Sequence, residues 1–579
     1  MKILFTYLKK YWALCVLVVV LAAINQVFSL LDPLIFRHVI DNYATKFDQY
    51  TRSEFFSGVG LLLLASVGVA FVSRVAKNFQ DYYLNTVTQR LGAKLYTDGI
   101  RHALGLPFAV FEDQRSGETL GTLQKVRSDA EKYISSVINV LFISLIGFVF
   151  VTIYAISIYW VIALVFASIV PILGGASYVL TRKIKKVQAQ IVKETTALAG
   201  STTESLRNIE LVKSLGLVDQ EVTRLNTTTD AILALELKKL RYVRSISFVQ
   251  GTLINAMRTF VLLFLLFLVF TRKATFGQFF SLYIYSFYIF APLQELGNVI
   301  TNQRELEASL AKFQDLLSRP VEKDPENLKD VGTIEKLSFA DVSFRYETGT
   351  TDSLKDISFD VHKGQTIAFV GPSGSGKTSL VKLLIGLYQP QKGNILYNGV
   401  TSSSVSLNVL RSQFGFVTQD TQLFAGTIRE NLLFVKPDAT DEECLAALNK
   451  SAAQSLLARA DKGLDTRIGE SGVKVSGGEK QRLSIARTLL RNPNVIIFDE
   501  ATSALDSLTE QAITDTMKDI AKDGSRISVL IAHRLSTVMH ADAIYVLEKG
   551  QIAEVGTHDA LLEKKGLYYA MWRQQIGER

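Results

Sequence analysis

The chain has 579 residues, which at about 150 residues per domain corresponds to roughly three or four domain-sized units. Apolar residues make up 48% of the chain and charged residues 20%, and the mean hydropathy is +0.21, so the composition excludes an intrinsically disordered chain and indicates that part of it lies in lipid. The net charge of +8 fits the Lys and Arg excess of a membrane protein's cytoplasmic loops, and no basic stretch alternates with aromatic residues as in a nucleic-acid groove.

Long apolar segments fill the first half of the chain. Each is close to the roughly 20 residues that a helix needs to cross a bilayer core. They cover 12–31, 56–75, 138–156, 160–180, 248–270 and 277–297. We therefore predict an all-α membrane domain over 1–305 with six transmembrane helices. Lys and Arg are concentrated before the first segment and after the second and fourth, which predicts that these stretches and both termini are cytoplasmic.

The two basic stretches between the apolar segments have helical patterns. Residues 78–135 and 181–246 show apolar residues at spacings of three and four among charged ones. A helix of about 30 residues extends ~45 Å, so both stretches predict long cytoplasmic helical loops. Their tips are expected near 111–118 and 207–213.

Two features of the apolar half bear on a transported molecule. The last segment is rich in Phe and Tyr, which suit either a cavity for amphipathic cargo or helix packing with an interfacial belt. Arg258 lies inside the fifth segment, where a charge is costly. Glu295 differs from Arg258 by ~12 Å in depth, too far for an ion pair. One interpretation is that Arg258 faces a watery cavity and an anionic cargo.

The second half has the pattern of a soluble α/β domain. After a linker at 306–336, short β-branched runs alternate with helical stretches, and the runs lie at 366–370, 495–498, 527–531 and 543–547. Runs that are apolar on both faces and separated by helices indicate a mostly parallel sheet covered on both sides. We predict an α/β P-loop ATPase cassette over 337–579.

A glycine-rich turn between the run at 366–370 and the next helical stretch predicts a phosphate-binding loop. Its glycines let backbone N–H groups turn toward a phosphate at a helix N-terminus. Lys377 is expected to reach the β- and γ-phosphates, and Thr378 to offer its hydroxyl to Mg²⁺. The predicted nucleotide-binding residues here are Gly371, Pro372, Ser373, Gly374, Ser375, Gly376, Lys377, Thr378 and Ser379.

Two acidic residues follow the buried run at 495–498. The carboxyl end of a strand in an open α/β sheet is where ligands bind. Asp499 is expected to hold Mg²⁺, directly or through water, and Glu500 to orient and deprotonate the attacking water. A strand that ends in two acidic residues is a weak signal by itself, but it indicates a nucleotide site when a P-loop precedes it in the chain.

Between these motifs lies a small-residue helix start. Ser476, Gly477, Gly478 and Glu479 are followed by Gln481 and Arg482, shortly before Asp499. This order resembles the signature motif of ATP-binding cassette (ABC) proteins, in which the signature of one subunit closes over ATP held by the P-loop of the other. Val475 and Glu479 stand where that family most often has Leu and Gln, and the Ser-Gly-Gly seat is retained.

The resemblance implies further site residues. Gln419 resembles the Q-loop glutamine that contacts Mg²⁺ and the membrane domain, and Asp506 resembles the D-loop aspartate. His533 resembles the switch histidine that contacts the γ-phosphate, and Tyr346 the aromatic residue that stacks on adenine. Residues 466–470 resemble the X-loop of the exporter branch.

Six spans followed by one cassette resemble an ABC exporter half-transporter. The resemblance implies an ATPase that uses ATP and Mg²⁺, pairs with a second half-transporter, and exports or flips a small amphipathic substrate such as a lipid, peptide or drug. Every motif that two identical ATP sites need is present in this one chain, which favours a homodimer. A heterodimer is the alternative. We expect contact with membrane lipid but no nucleic acid, and a bacterial inner membrane location. The alternative is a nucleotide-gated sensor, a class that tolerates loss of Glu500 or His533.

Overall fold

The chain forms two compact units. A computed structural model describes residues 1–113, 116–325, 327–347, 349–419, 421–468, 475–500 and 507–577. One unit comprises Met1–Gly105 with Arg115–Pro320, and the other Leu106–Gln114 with Val321–Arg579. The short segment Leu106–Gln114, close to the predicted tip of the first loop, therefore groups with the cassette.

Long helices build the first unit. Capping boxes start two of them, since the Thr51 and Thr275 hydroxyls accept from the N–H groups of Glu54 and Gln278. The helices are α1 (Lys2–Lys9), α2 (Trp12–His38), α3 (Arg52–Leu104), α5 (Ser116–Ser136), α6 (Ile143–Ile158), α7 (Trp160–Arg207), α8 (Ile209–Ser214), α9 (Val218–Phe270) and α10 (Phe276–Ser318), with α4 (Phe108–Asp113) in the second unit.

The predicted helical membrane domain is confirmed. Among the described residues, four helical segments are long and apolar enough to cross a bilayer: Trp12–Gln49, Arg52–Leu104, Thr119–Ile158 and Val218–Phe270. The predicted spans at 160–180 and 277–297 lie on α7 and α10. The count of six spans stays a prediction.

The helices continue well beyond the apolar segments. Helices α3 and α9 have 53 residues each and run from apolar into charged sequence without a break. The second predicted loop tip corresponds to the short helix α8. Helix α10 continues to Ser318, so residues 306–318, which the sequence assigns to a linker, are helical. Residues 298–318 contain neither Pro nor Gly, so the sequence has no helix-breaking residue in this stretch.

Strands of the second unit form three sheets. Their orders are β2-β1-β4-β5, β12-β11-β3-β10-β9-β6 and β7-β8. The strands are β1 (Lys336–Phe344), β2 (Leu354–His362), β3 (Thr366–Val370), β4 (Lys392–Tyr397), β5 (Val400–Thr401), β6 (Phe414–Val417), β7 (Gly426–Thr427), β8 (Arg467–Ile468), β9 (Val495–Asp499), β10 (Ile527–Ile531), β11 (Ala543–Glu548) and β12 (Gln551–Gly556).

The six-stranded sheet is the parallel sheet that the sequence predicts. Every residue of β3, β9 and β10 is buried, and these strands pair in parallel. Only β12 joins antiparallel. The antiparallel sheet around β1 and β2 is not predicted, because β2 alternates between buried and exposed residues and lacks an apolar run on both faces.

Helices cover the sheets and form a separate cluster. The cluster of α13, α14, α15 and α16 packs around its own apolar core, which includes Ile428, Leu448 and Leu483. We call it the helical cluster. The helices are α11 (Lys377–Leu384), α12 (Leu407–Ser412), α13 (Ile428–Leu433), α14 (Asp441–Lys450), α15 (Gln454–Ala458), α16 (Gly477–Leu490), α17 (Ser507–Lys522), α18 (His558–Lys564) and α19 (Leu567–Ile576).

Candidate functional site

The turn between β3 and α11 requires its glycines. Gly371 has φ 153° and Gly376 has φ 104°, both in the left-handed half of backbone space. A Cβ at Gly371 would lie 2.2 Å from the carbonyl oxygen of Leu547, and one at Gly376 would lie 2.6 Å from that of Ser353. Gly374 has φ 79° and open space around its Cβ position. The loop thus turns tightly at both ends and is open in its middle.

Lys377 and Ser375 lie buried within this loop. The Nζ of Lys377 donates to the carbonyl oxygens of Gly371, at 2.8 Å, and Pro372, at 3.0 Å. Burial lowers the pKa of Lys377, and the charges of Glu500 and Asp499 oppose this shift. The Ser375 hydroxyl is buried without a hydrogen-bond partner among the described residues. A buried ammonium and an unpartnered hydroxyl beside an open loop fit a phosphate group.

The other polar residues of the loop differ in exposure. Pro372, Ser373 and Thr378 are exposed, and Ser379 is buried. The Ser379 hydroxyl is 3.1 Å from that of Tyr346. Tyr346 packs edge-to-face on Phe344 and Tyr388, with centroids 4.9 and 5.4 Å away. The predicted adenine-stacking residue therefore lies beside the first turn of α11.

Asp499 is the last residue of β9 and Glu500 follows it. Strand β9 neighbours β10 in the sheet order β3-β10-β9. Asp499 is 9% exposed, and its pKa is raised to about 6. Burial is the main cause, the charge of Glu500 also raises this pKa, and the charge of Lys377 opposes the rise. Lys377, Asp499 and Glu500 act on one another's charges, so the P-loop lysine and both carboxylates share one site at the carboxyl edge of the sheet.

The described residues contain no cluster of three or more His, Cys, Asp or Glu that could hold a metal ion. Mg²⁺ in phosphate sites uses one or two carboxylates with substrate oxygens and water, so Asp499 and the exposed Thr378 hydroxyl fit that ion. Gln419 is exposed two residues after β6, the strand next to β9.

Glu500 and His533 are in direct contact. Glu500 has φ 46°, and its N–H donates to the carbonyl oxygen of Ile531 at 2.9 Å. Its Oε1 lies 2.8 Å from Nε2 of His533. The glutamate side chain is 11% exposed and that of the histidine 41%. A left-handed backbone at a non-glycine residue is strained, and the bond to β10 holds it.

Gln575 holds the loop that carries His533, a contact that sequence reasoning missed. Its Nε2 donates to the carbonyl oxygen of His533 at 2.5 Å, and its Oε1 accepts from the N–H of Leu535 at 2.8 Å. Arg534, between them, pairs with Glu510 of α17. A single Gln in the last turn of α19 gives no sequence signal for this role.

The signature residues start α16 with a capping box. The Ser476 hydroxyl accepts from the N–H of Glu479 at 3.3 Å, and Oε2 of Glu479 accepts from the N–H of Ser476 at 2.9 Å. Gly477 and Gly478 form the first turn. Gln481 accepts from the Thr421 hydroxyl and donates to the carbonyl oxygen of Thr418, which ties α16 to the segment on either side of the predicted Q-loop.

In the part of the chain that the structure describes, no hydrogen bond or ion pair joins 476–479 to the P-loop. Asp506 of the predicted D-loop and residues 469–470 of the predicted X-loop lie outside the described residues.

In the membrane unit, Arg258 stacks on an aromatic ring. Its guanidinium carbon is 3.9 Å from the ring centroid of Phe287 and 6.0 Å from that of Phe290. Such cation–π contacts offset part of the cost of a charge in lipid. Nε of Arg258 is buried without a hydrogen-bond partner among the described residues. The structure thus joins the two features that the sequence singled out.

Comparisons with known proteins match both units. The family profile described as "ABC transporter transmembrane region" matches residues 15–293, and the profile "ABC transporter" matches 354–503. "Uncharacterized ABC transporter ATP-binding protein YfiC" of Bacillus subtilis is 32% identical over 99% of this chain and 94% of its own length. "Probable multidrug resistance ABC transporter ATP-binding/permease protein YheI" of the same species is 31% identical over 98% and 96%. A solved "bacterial Atm1-family ABC exporter with ATP bound" superimposes with a TM-score of 0.85, at 27% identity and 98% coverage of both chains.

Proposed function

Since this chain belongs to the ABC transporter family, we propose that two copies of it form an exporter in which each ATP lies between the P-loop of one copy and the signature motif of the other. The chain is a multi-pass membrane protein and an exporter half-transporter whose ATPase drives transport, and half-transporters of this family dimerise.

The separation of the two halves of the ATP site supports the pairing. Lys377, Asp499, Glu500 and His533 meet at the carboxyl edge of the parallel sheet. The Ser476–Glu479 cap has no bond to that site among the described residues. One chain thus supplies one P-loop and one signature motif, and both are used when two cassettes face each other. A homodimer needs no further chain, because every motif is present here.

Each predicted residue then has a task that its geometry allows. Lys377 and the N–H groups of the P-loop hold the β- and γ-phosphates, and Tyr346 stacks on adenine. Thr378, Asp499 and Gln419 would hold Mg²⁺, which neutralises charge on the phosphate oxygens when bound.

Hydrolysis falls to the Glu500–His533 pair. Glu500 orients the attacking water and takes its proton, since a carboxylate at the edge of the nucleotide site is placed to act as a base. His533 holds the Glu500 carboxylate at 2.8 Å and offers its exposed ring to the γ-phosphate. Ser476, Gly477 and Gly478 contact the same phosphate from the other copy.

Coupling to the membrane helices uses the loop tips. Phe108 of α4 lies 6.0 Å from the ring of Tyr388 within the cassette unit. The tip of the second loop exposes Leu211 and Leu215. A cavity of about 330 Å³ beside the predicted Q-loop is lined by residues that include Phe424 and Phe434. We assign to the two loop tips the task of carrying the closure of the cassettes to the membrane helices.

We place the protein in a bacterial inner membrane, with both termini cytoplasmic and an amphipathic cargo. The aromatic face of α10 and the Arg258–Phe287 stack support such a cargo, because they offer apolar surface beside a cation. The similarity to a protein named for multidrug resistance agrees with an apolar or amphipathic molecule.

The test uses proteoliposomes with outward-facing cassettes and two probes, an NBD-labelled phospholipid and the dye Hoechst 33342. Wild-type protein is expected to move at least one probe when ATP is added, and Glu500→Gln protein to move neither. ATP turnover by the wild type without movement of either probe would favour the nucleotide-gated alternative.

A further inference from the structure

The fourth signature residue places a carboxylate in an anion-binding helix start. Glu479 is 4% exposed and lies in the first turn of α16, one residue after Gly478. An acidic side chain there stabilises the helix, because it faces the positive end of the helix dipole. The same negative charge opposes a second anion at that helix start. A γ-phosphate bound at Ser476, Gly477 and Gly478 would therefore be repelled by an uncompensated Glu479.

Arg459 compensates this charge. It follows α15 in the helical cluster, and its guanidinium group contacts both carboxylate oxygens of Glu479. The Arg459 side chain is 51% exposed and that of Glu479 is 6% exposed. Burial acts to raise the pKa of Glu479, and bonds from Ser476 together with Arg459 outweigh burial and hold the pKa below its usual range. Glu479 is therefore ionised at neutral pH, and its countercharge comes from Arg459.

We propose that Arg459 is a positioning residue of the ATP site, which neutralises Glu479 so that the signature helix can accept the γ-phosphate held by the partner copy. An uncharged Gln, common in the family at this position, could accept the same bond from Ser476 without a countercharge. The Arg459–Glu479 ion pair has no net charge either, so it leaves the helix start as neutral as the Gln would. This inference rests on the proposed pairing of two cassettes.

The alternative is that the pair only stabilises the helical cluster. A double-variant cycle separates an effect of charge from an effect on stability. The net charge of the pair is zero in wild type, minus one in Arg459→Met, plus one in Glu479→Gln and zero in the double variant. A pair that only stabilises the cluster shifts KM in the same direction in both single variants, because each leaves one charge unpaired. A neutralising pair raises KM in Arg459→Met and lowers it in Glu479→Gln, and the double variant recovers.

The experiment measures the ATP concentration dependence of hydrolysis by the purified full-length protein in lipid nanodiscs. The variants are Arg459→Met, Glu479→Gln and the double variant. Lys436→Met is the matched control, because it removes a cation between α13 and α14 that pairs with the exposed residue Glu443. Arg459→Met is expected to raise KM for ATP about fivefold, with kcat changed less than about twofold.

The other variants are expected to differ in KM in the following way. Glu479→Gln leaves Arg459 unpaired beside the helix start and is expected to lower KM about threefold. The double variant is expected to return to within about twofold of wild type, and Lys436→Met to match wild type. An unchanged KM in Arg459→Met, or a double variant as impaired as Arg459→Met, overturns the proposal.

If Arg459→Met does not assemble, Glu479→Gln decides alone, and a KM that does not fall overturns the proposal. The KM values can be interpreted only if wild-type protein hydrolyses ATP and Glu500→Gln protein does not. A wild type that does not hydrolyse ATP contradicts the proposed function. Hydrolysis with KM values that do not follow the predicted ranking contradicts only the role of Arg459.

Discussion

Oε1 of Glu500 lies 2.8 Å from Nε2 of His533, at the ends of two adjacent parallel strands. The contact joins the two residues to which we assign proton removal and contact with the γ-phosphate. Strand register places them together, since Asp499 pairs with Ile531 across β9 and β10.

Replacing Glu500 by Gln is expected to abolish hydrolysis and retain ATP binding. The amide keeps the size of the side chain but cannot take a proton, so kcat should fall by about 100-fold or more. Measurement of phosphate release and of fluorescent ATP binding on the same sample checks both parts. Turnover close to that of wild type would refute the role of Glu500.

Gln575 is expected to affect the rate more than the affinity. Gln575→Ala removes the two hydrogen bonds that Gln575 makes to the loop around His533, so we expect kcat to fall roughly fivefold with KM for ATP nearly unchanged. Gln574→Ala is the matched control, because Gln574 is an exposed neighbour on the same helix. Equal kcat values for the two variants would contradict the role assigned to Gln575.

The raised pKa of Asp499 gives a pH dependence of stability. Its pKa is about 6 in the folded chain, against a usual value of 3.8. The folded state holds this proton more tightly, so the stability of the nucleotide-free protein falls as pH rises from about 4 to about 6. The full cost is present above pH 6.

Asp499→Asn should therefore raise the apparent Tm of the nucleotide-free protein, and raise it more at pH 7.5 than at pH 5. Asp519→Asn, at an exposed position of α17, serves as the control. Hydrolysis by the wild type should also decline below about pH 6, because Mg²⁺ must then displace a proton from Asp499. A gain in Tm that is equal at both pH values would contradict this explanation.

Arg258 is expected to select anionic cargo. Arg258→Gln keeps a polar side chain but removes the charge beside Phe287, so ATP-dependent uptake of an NBD-labelled anionic phospholipid should fall about fivefold while basal hydrolysis is retained. Arg244→Gln, at an exposed position of the same helix, is the control. Unchanged uptake in Arg258→Gln would end the assignment of a cargo role to this residue.

The parts of the site that the sequence predicts are those whose chemistry restricts residue type over a short stretch. Only glycine tolerates the backbone of Gly371 and Gly376, and the strand that ends at Asp499 is buried throughout. Such constraints can be read from a few neighbouring residues. They place Lys377, Asp499 and Glu500 without knowledge of the tertiary structure.

Contacts between distant residues could not be predicted in this way. Gln575 lies 42 positions from His533, and Arg459 lies 20 positions from Glu479. Gln and Arg are ordinary surface residues, and the fold alone decides what they meet. The continuation of α10 to Ser318 was missed for a similar reason, because an apolar segment marks where a helix leaves the membrane and not where it ends.

The central claim, that ATP is held between two copies of this chain, is tested most directly by mixing two defective chains. One carries Lys377→Ala and the other Gly477→Asp, and dual affinity tags isolate the mixed dimer. Nucleotide trapped with vanadate is then counted per dimer. The account predicts no trapping by either variant alone and about one trapped nucleotide in the mixed dimer, whose one intact site combines the two unaltered halves. A mixed dimer that traps none, or a Gly477→Asp dimer that traps as much as wild type, would contradict the account.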